Sequence, residues 1–144
     1  MPEKETARRA RKDKRQGKSP STQAGEFVRE EIHHVREGKH GARSAKQAIA
    51  IGLSKARRAG VKLPPPRHAK ASTKESARSA SRAAGRHRPP SARRSQAARR
   101  ALRRETRSAA SHTALARQAR KAAHRRPAAL HMSGRLKTRS SAST

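Results

Sequence analysis

The chain has 144 residues, and 39 Lys and Arg stand against nine Asp and Glu, so its formal net charge is +30. Hydrophobic residues make up 31% of the chain, many of them Ala, and Phe27 is the one Phe, Tyr or Trp. Such a composition excludes a hydrophobic core spanning the whole length and favours a polyanionic partner. The absence of Cys excludes disulfides and thiolate metal sites.

Charge density divides the chain into three parts. Residues 1–19 form a basic N-terminal arm, with eight basic and three acidic residues, that we expect to be helical only transiently. Residues 20–63 hold most of the large apolar side chains and are the candidate folded unit. Residues 64–144 open with three consecutive prolines, which end regular structure, and continue as an Arg-, Ala- and Ser-rich low-complexity tail.

The first helix of the central part is predicted from apolar residues at helical spacing. These are Ala24, Phe27, Val28, Ile32 and Val35. Ser19 or the Ser21-Thr22 pair can cap its start, and Gly38 is the natural stop.

A second helix is predicted to begin at the capping-box sequence Ser44 to Gln47 and to end at Gly60. Its apolar face comprises Ala45, Ala48, Ile49, Leu53 and Ala56. Gly52 lies on the same face and could permit a close helix–helix approach. The predicted fold is therefore all-α, a small helical hairpin flanked by largely disordered basic arms.

Acidic side chains on the first helix have two interpretations. Glu26, Glu30 and Glu37 fall within a narrow arc, which we interpret as a solvated acidic face. The alternative is that this face holds the chain's own basic arms. Glu31 lies inside the apolar arc and is predicted to pair with a basic residue across the hairpin.

The tail contains a stretch, Ser91 to Arg126, without Gly or Pro. Ala and Arg favour a helix, but closely spaced positive charges oppose it. We expect this stretch to be mostly disordered when free and to become helical, even as one long helix, once phosphates neutralise it.

Eight histidines raise the question of a metal or catalytic site. His33 and His34 point to different sides of a helix, and with His40 they show no convincing ligand spacing. We interpret them as surface side chains and expect no metal, cofactor or small-molecule substrate. Ser111-His112 lacks an orienting carboxylate, and the glycines form no phosphate-binding loop, so we predict that the protein is not an enzyme.

Nucleic-acid phosphates are the predicted ligand, and basic residues at three places are the candidate contacts. Two clusters flank the second helix, one at its N-terminal turn and one at its C-terminal end, where cations also suit the helix dipole. The third group consists of Arg pairs in the tail. The residues are Lys39, His40, Arg43 and Lys46, then Lys55, Arg57, Arg58 and Lys62, then Arg93, Arg94, Arg99, Arg100, Arg103 and Arg104.

The sequence from Ser19 to Glu31, with Gly38 to Ser44 and Ala59 to Pro64, resembles a family of small basic bacterial proteins without characterised function, often labelled DNA-binding. The resemblance extends over roughly residues 1–66. The tail resembles histone-H1-like bacterial proteins in composition only. The resemblance implies a bacterial cytoplasmic, nucleoid-associated setting and supplies no catalytic residues.

We therefore expect an architectural protein that binds duplex DNA largely independently of sequence, with a homodimer through the hairpin as one route to bridging. Association with structured RNA or the ribosome is the alternative, since ribosomal proteins share this size and charge. A membrane-active role is disfavoured because the tail has few large apolar side chains opposite its charges. No segment has the length of a membrane span.

Overall fold

The computed structural model describes residues 3–86 and 91–125, and over these residues the protein is all-α without strands, as predicted. The helices are α1 (Lys4–Arg15), α2 (Pro20–Glu37), α3 (Ala45–Arg58), α4 (Ala71–Arg82), α5 (Ala92–Arg103) and α6 (His112–His124), with a 3₁₀ turn at Ser108–Ala110. None of these helices has the length and apolarity needed to cross a membrane.

The predicted hairpin is present as α2 and α3, and its ends use the expected residues. Ser19 caps α2 by accepting a hydrogen bond from the Thr22 amide at 3.3 Å, and Gly38 ends the helix at φ 78°. Ser44 caps α3 in the same way. The Gln47 side chain reaches the amide of Arg43 rather than that of Ser44, so only one half of the capping box is formed.

Small residues let the two helices approach closely. A Cβ at Gly52 would lie 2.6 Å from the Cα of Val28, so glycine is required at this crossing, as the sequence indicated. On one side of the hairpin the core consists of Ala10, Ala24, Phe27, Ala56 and Val61. On the other side it consists of Val35, Ala42, Ala48, Ala109 and Ala110.

The N-terminal arm is a packed helix and not a transiently ordered segment. Thr6, Ala10 and Asp13 of α1 are buried where α1 packs against α2. The interpretation of a solvated acidic face on α2 is wrong at two positions. Glu26 receives a 2.8 Å hydrogen bond from Arg9, and Glu30 is buried and accepts one from the Glu3 amide. The alternative, that this face holds a basic arm of the chain, agrees with the structure.

The described part of the tail forms three separate helices rather than one long helix. Ala77 and Ala80 are buried on α4, which packs against α3. The chain after α5 returns to the hairpin, where the amides of Gly41 and Ala42 donate to carbonyl oxygens of Leu102 and Thr106. A side chain at Gly41 would collide with the backbone of the residues after α5. The predicted tail after residue 125 lies outside the described residues, and disorder of the free tail stays a prediction.

Candidate nucleic-acid interface

A groove of about 420 Å³ between the start of α3 and the first turns of α6 carries positive charge. Its lining contains four basic side chains and no acidic one; we call it the basic groove, defined by Arg43, Lys46, Arg117 and Lys121. All four residues are exposed. A concave surface lined by cations concentrates positive potential and attracts anions more strongly than a flat surface with the same charge.

Two helix N-termini meet at this groove, which adds backbone donors to the cationic side chains. Ser44 caps α3 and Ser111 caps α6, and both serines line the groove. The first amides of a helix have no partners within the helix, and the helix dipole favours negative charge there. The groove therefore combines helix N-termini with cationic side chains, two features that bind phosphate oxygens.

The arginines of α5 form a second basic surface next to the groove. Over the helical period, Arg93, Arg99, Arg100 and Arg103 fall within an arc of roughly 120°; we call this the arginine face. Arg94 lies outside that arc, and Arg104 is the C-cap residue. No residue of α5 is buried.

Arg43 connects the two surfaces. It lines the basic groove, and its Nε lies 3.8 Å from a carboxylate oxygen of Glu105, just after α5. Its side chain is 80% exposed, so this contact leaves the guanidinium accessible to a ligand.

Four of the predicted binding residues contact other groups of the protein: Lys55, Arg57 and His40 are largely enclosed, whereas Lys39 is half-exposed. Lys55 lies 2.5 Å from buried Glu31, which confirms the predicted pair across the hairpin. Arg57 is buried and donates to the carbonyls of Leu63 and Pro64, and burial lowers its pKa.

The other two lie in the loop after α2. Lys39 lies 3.4 Å from Glu3 and 3.5 Å from Glu37, and its pKa is raised chiefly by the hydrogen bond to Glu3. His40 is largely buried, with its Nε2 2.5 Å from a carboxylate oxygen of Glu31. Arg43, Lys46, Arg58 and Lys62 are exposed as the binding interpretation requires.

The acidic residues all contact Lys, Arg or His side chains within the fold. Each of the nine acidic side chains lies within 3.8 Å of a nitrogen of a basic side chain. Because these pairs are concentrated on α1, α2 and the loop after α2, the remaining cations of α5 and α6 are left to face solvent. The exposed charge is thus more strongly positive than the composition alone indicates.

The histidines of α2 differ from the prediction of surface side chains. His33 is exposed, but the side chains of His34 and His40 are only 12% and 16% exposed and contact glutamates. His34 Nε2 lies 3.1 Å from Glu3, and its hydrogen bond is the main cause of the lowered pKa of that carboxyl. The contacts were not predicted because Glu3 comes from a helix expected to be separate from the hairpin.

Sequence reasoning missed Arg117 and Lys121 as groove residues. They lie four residues apart on α6, a spacing that places both on one face of a helix, so their mutual arrangement was available from the sequence. Their position beside Arg43 depends on the 3₁₀ turn, where Ala109 and Ala110 bury against the hairpin. Two alanines give too weak an apolar pattern to predict that contact.

The comparisons identify a family over the hairpin only. No curated protein and no solved structure matches the chain. Residues 12–67 match a family of unknown function, DUF6496, a range that includes the end of α1, all of α2 and α3, and the proline run. This match confirms only that the hairpin region belongs with an uncharacterised family, and the bacterial and DNA-binding parts of the resemblance stay predictions.

Proposed function

We propose that the protein binds duplex DNA largely independently of sequence, through phosphate contacts at the basic groove and the arginine face. The observation that carries this proposal is the groove itself, where four cations and two helix N-termini converge without an acidic side chain in the lining. Phosphate contacts of this kind position a protein on a duplex but do not read its bases.

Charge and aromatic content support this proposal over base-stacking recognition. A formal charge of +30 gives a large counterion-release contribution to binding any nucleic acid. Proteins that read single strands stack bases on exposed aromatic rings. Phe27 is the only Phe, Tyr or Trp and is 1% exposed in the core, so it cannot serve as a stacking platform.

An architectural role follows from the arrangement of the two surfaces. In this proposal the hairpin fixes the groove on one stretch of backbone, and the arginine face neutralises phosphates nearby. Bridging of two duplexes requires either a homodimer through the hairpin or engagement of the surfaces by separate duplexes. Both routes predict compaction of long DNA at low salt.

The test compares the full-length protein with two variants that each lose four positive charges. The groove variant is Arg43→Gln/Lys46→Gln/Arg117→Gln/Lys121→Gln. The matched control removes four dispersed, exposed cations that make no ion pair in the described structure and do not line the groove; these are Lys12, Arg67, Lys70 and Arg86. Binding to two duplexes of different sequence, a structured RNA and anionic vesicles is measured across a salt series.

We expect the two duplexes to bind alike and more tightly than the RNA or vesicles. Each lost phosphate contact reduces the steepness of log affinity against log salt concentration by about 0.9, so the groove variant, which loses four contacts, should reduce it by about 3.6. The control with four dispersed charges removed should change the slope by less than half as much. Equal effects of the two variants would mean that affinity depends on total charge and not on the groove. Tighter and more salt-resistant binding to the RNA than to the duplexes would identify RNA as the ligand in place of DNA.

A further inference from the structure

One cluster of metal-binding side chains lies outside the basic groove, between α2 and the loop that follows it. Glu31, His34 and His40 each present one ligand atom, and these atoms all lie within 4.8 Å of one another. The Glu31 side chain is 1% exposed, and the two imidazoles are 12% and 16% exposed. The cluster is therefore enclosed by the fold, unlike the solvent-exposed His33.

The hydrogen bonding of His40 suits a metal ligand. Its Nδ1 lies 2.9 Å from the carbonyl oxygen of Gly41, which can only accept a hydrogen bond. With Nδ1 donating to this carbonyl, Nε2 is the nitrogen available to a metal. It lies 2.5 Å from Oε1 of Glu31, a separation at which a proton lies between the two atoms, and a bound metal ion would displace that proton. Metal-binding histidines commonly use this arrangement, in which the second ring nitrogen donates to a backbone carbonyl and fixes the ring.

Two buried carboxylate oxygens at the cluster lack hydrogen-bond partners among the described residues. They are Oε2 of Glu30 and Oε2 of Glu31. Glu31 Oε2 lies 2.5 Å from Lys55 Nζ, outside hydrogen-bond geometry, while Glu30 Oε1 lies 3.8 Å from His34 Nε2. Lys55 therefore already places a cation against Glu31 Oε2. Glu30 Oε2 is the buried oxygen for which an added cation or an ordered water would lower the cost of burial.

We propose that Glu31, His34 and His40 form a site for a divalent transition-metal ion, with Zn²⁺ as the best match to two imidazoles and one carboxylate. Ligand atoms on tetrahedral Zn²⁺ lie about 3.3 Å apart, so the three ligand atoms, now within 4.8 Å of one another, must adjust their separations when they bind one ion. Lys55 contacts Oε2 of Glu31 and leaves Oε1 to the metal.

A second grouping, formed by Glu3, Glu30 and His34, shares one imidazole with this site. It is the weaker choice because it offers a single nitrogen ligand, and Glu3 is half-exposed and contacts Lys39.

The site would tie α2 to the loop that carries Arg43. His34 and Glu31 belong to α2, whereas His40 lies in the loop before α3. An ion bound to all three side chains restrains the loop from which the basic groove is built. The site itself does not depend on the proposed DNA binding, because none of its ligands belongs to the groove.

The test measures Zn²⁺ binding to the untagged full-length protein by calorimetry, beside His34→Gln, His40→Gln and the matched control His33→Gln. We expect one Zn²⁺ per chain, affinity reduced by roughly 10–100-fold or more in the first two variants, and a change of less than about threefold in the control. Far-UV circular dichroism establishes that each variant is folded.

A second measurement uses the wild-type protein alone and so does not depend on the folding of a variant. With Co²⁺ in place of Zn²⁺, the imidazole NMR signals of His34 and His40 should show large paramagnetic shifts, while those of His68 and His112 should not. Absence of Zn²⁺ binding, equal weakening by His33→Gln, or paramagnetic shifts spread over the exposed histidines would each overturn the proposal.

Discussion

Replacement of Gly52 by Ala tests the close crossing of α2 and α3. The added Cβ would lie 2.6 Å from the Cα of Val28 and 3.0 Å from its amide nitrogen, and backbone atoms cannot rotate away. Overpacking of this kind costs about 1–3 kcal/mol. Ala gains about 1 kcal/mol over Gly in helix propensity, so the expected net loss of stability is about 0–2 kcal/mol.

Gly25 provides the matched control for this prediction. It also lies inside a helix, but a Cβ there would meet nothing within 4 Å. Gly25→Ala should therefore stabilise the protein by about 0.5–1 kcal/mol. Urea unfolding followed by circular dichroism at fixed ionic strength measures both changes. If Gly52→Ala were as stable as Gly25→Ala, the inferred crossing geometry would be wrong.

Three further predictions concern charge and the attachment of helices. Lys55→Ala should destabilise the fold by about 3 kcal/mol in urea unfolding, because the Glu31 carboxylate stays buried without its lysine partner. The control Arg58→Ala removes an exposed cation and should change stability by less than about 0.5 kcal/mol. The pKa of the Glu3 carboxyl is lowered from its ordinary 4.5, so the ionised carboxylate stabilises α1 above pH 4.5 and this stabilisation is lost as the pH falls through the lowered pKa. NMR signals of α1 should shift over that pH range in the wild-type protein, but not in Glu3→Gln. Gly41→Ala should release the residues after α5 from the hairpin and increase amide hydrogen exchange at their backbone contacts, while α2 and α3 stay protected; unchanged exchange would contradict the inferred contact.

The hairpin could be predicted because its signals are local. Ser19, Gly38, Ser44 and Gly60 mark helix ends through their own backbone and side-chain chemistry, and the apolar spacing identifies the facing sides. The pairing of Glu31 across the hairpin also followed, because a carboxylate within an apolar stripe must find a cation when buried.

The attachment of α1 and of the 3₁₀ turn could not be predicted because small residues carry it. Ala10, Ala109 and Ala110 give no apolar stripe distinguishable from the many other alanines of this chain. The burial of His34 and Arg57 follows from those attachments and from the turn after α3, so it was also missed. Exposure of a basic residue depends on the tertiary contacts around it, which explains why the candidate surface needed the structure.

The placement of acidic residues accounts for how so basic a chain forms a folded hairpin and still presents strong positive charge. Residues 1–62 contain seven of the nine acidic residues and 17 of the 39 basic ones, whereas residues 63–144 contain two and 22. Ion pairs within residues 1–62 relieve the repulsion between basic side chains of α1, α2 and α3. Residues 63–144 have few acidic side chains that could do the same. Because α5 and α6 are nearly all exposed and arginine-rich, a bound polyanion would relieve repulsion there more than in the hairpin. Folding and polyanion binding thus rely on different residues. The basic groove lies at the boundary between the two parts of the chain, because two of its cations come from the hairpin side and two from α6.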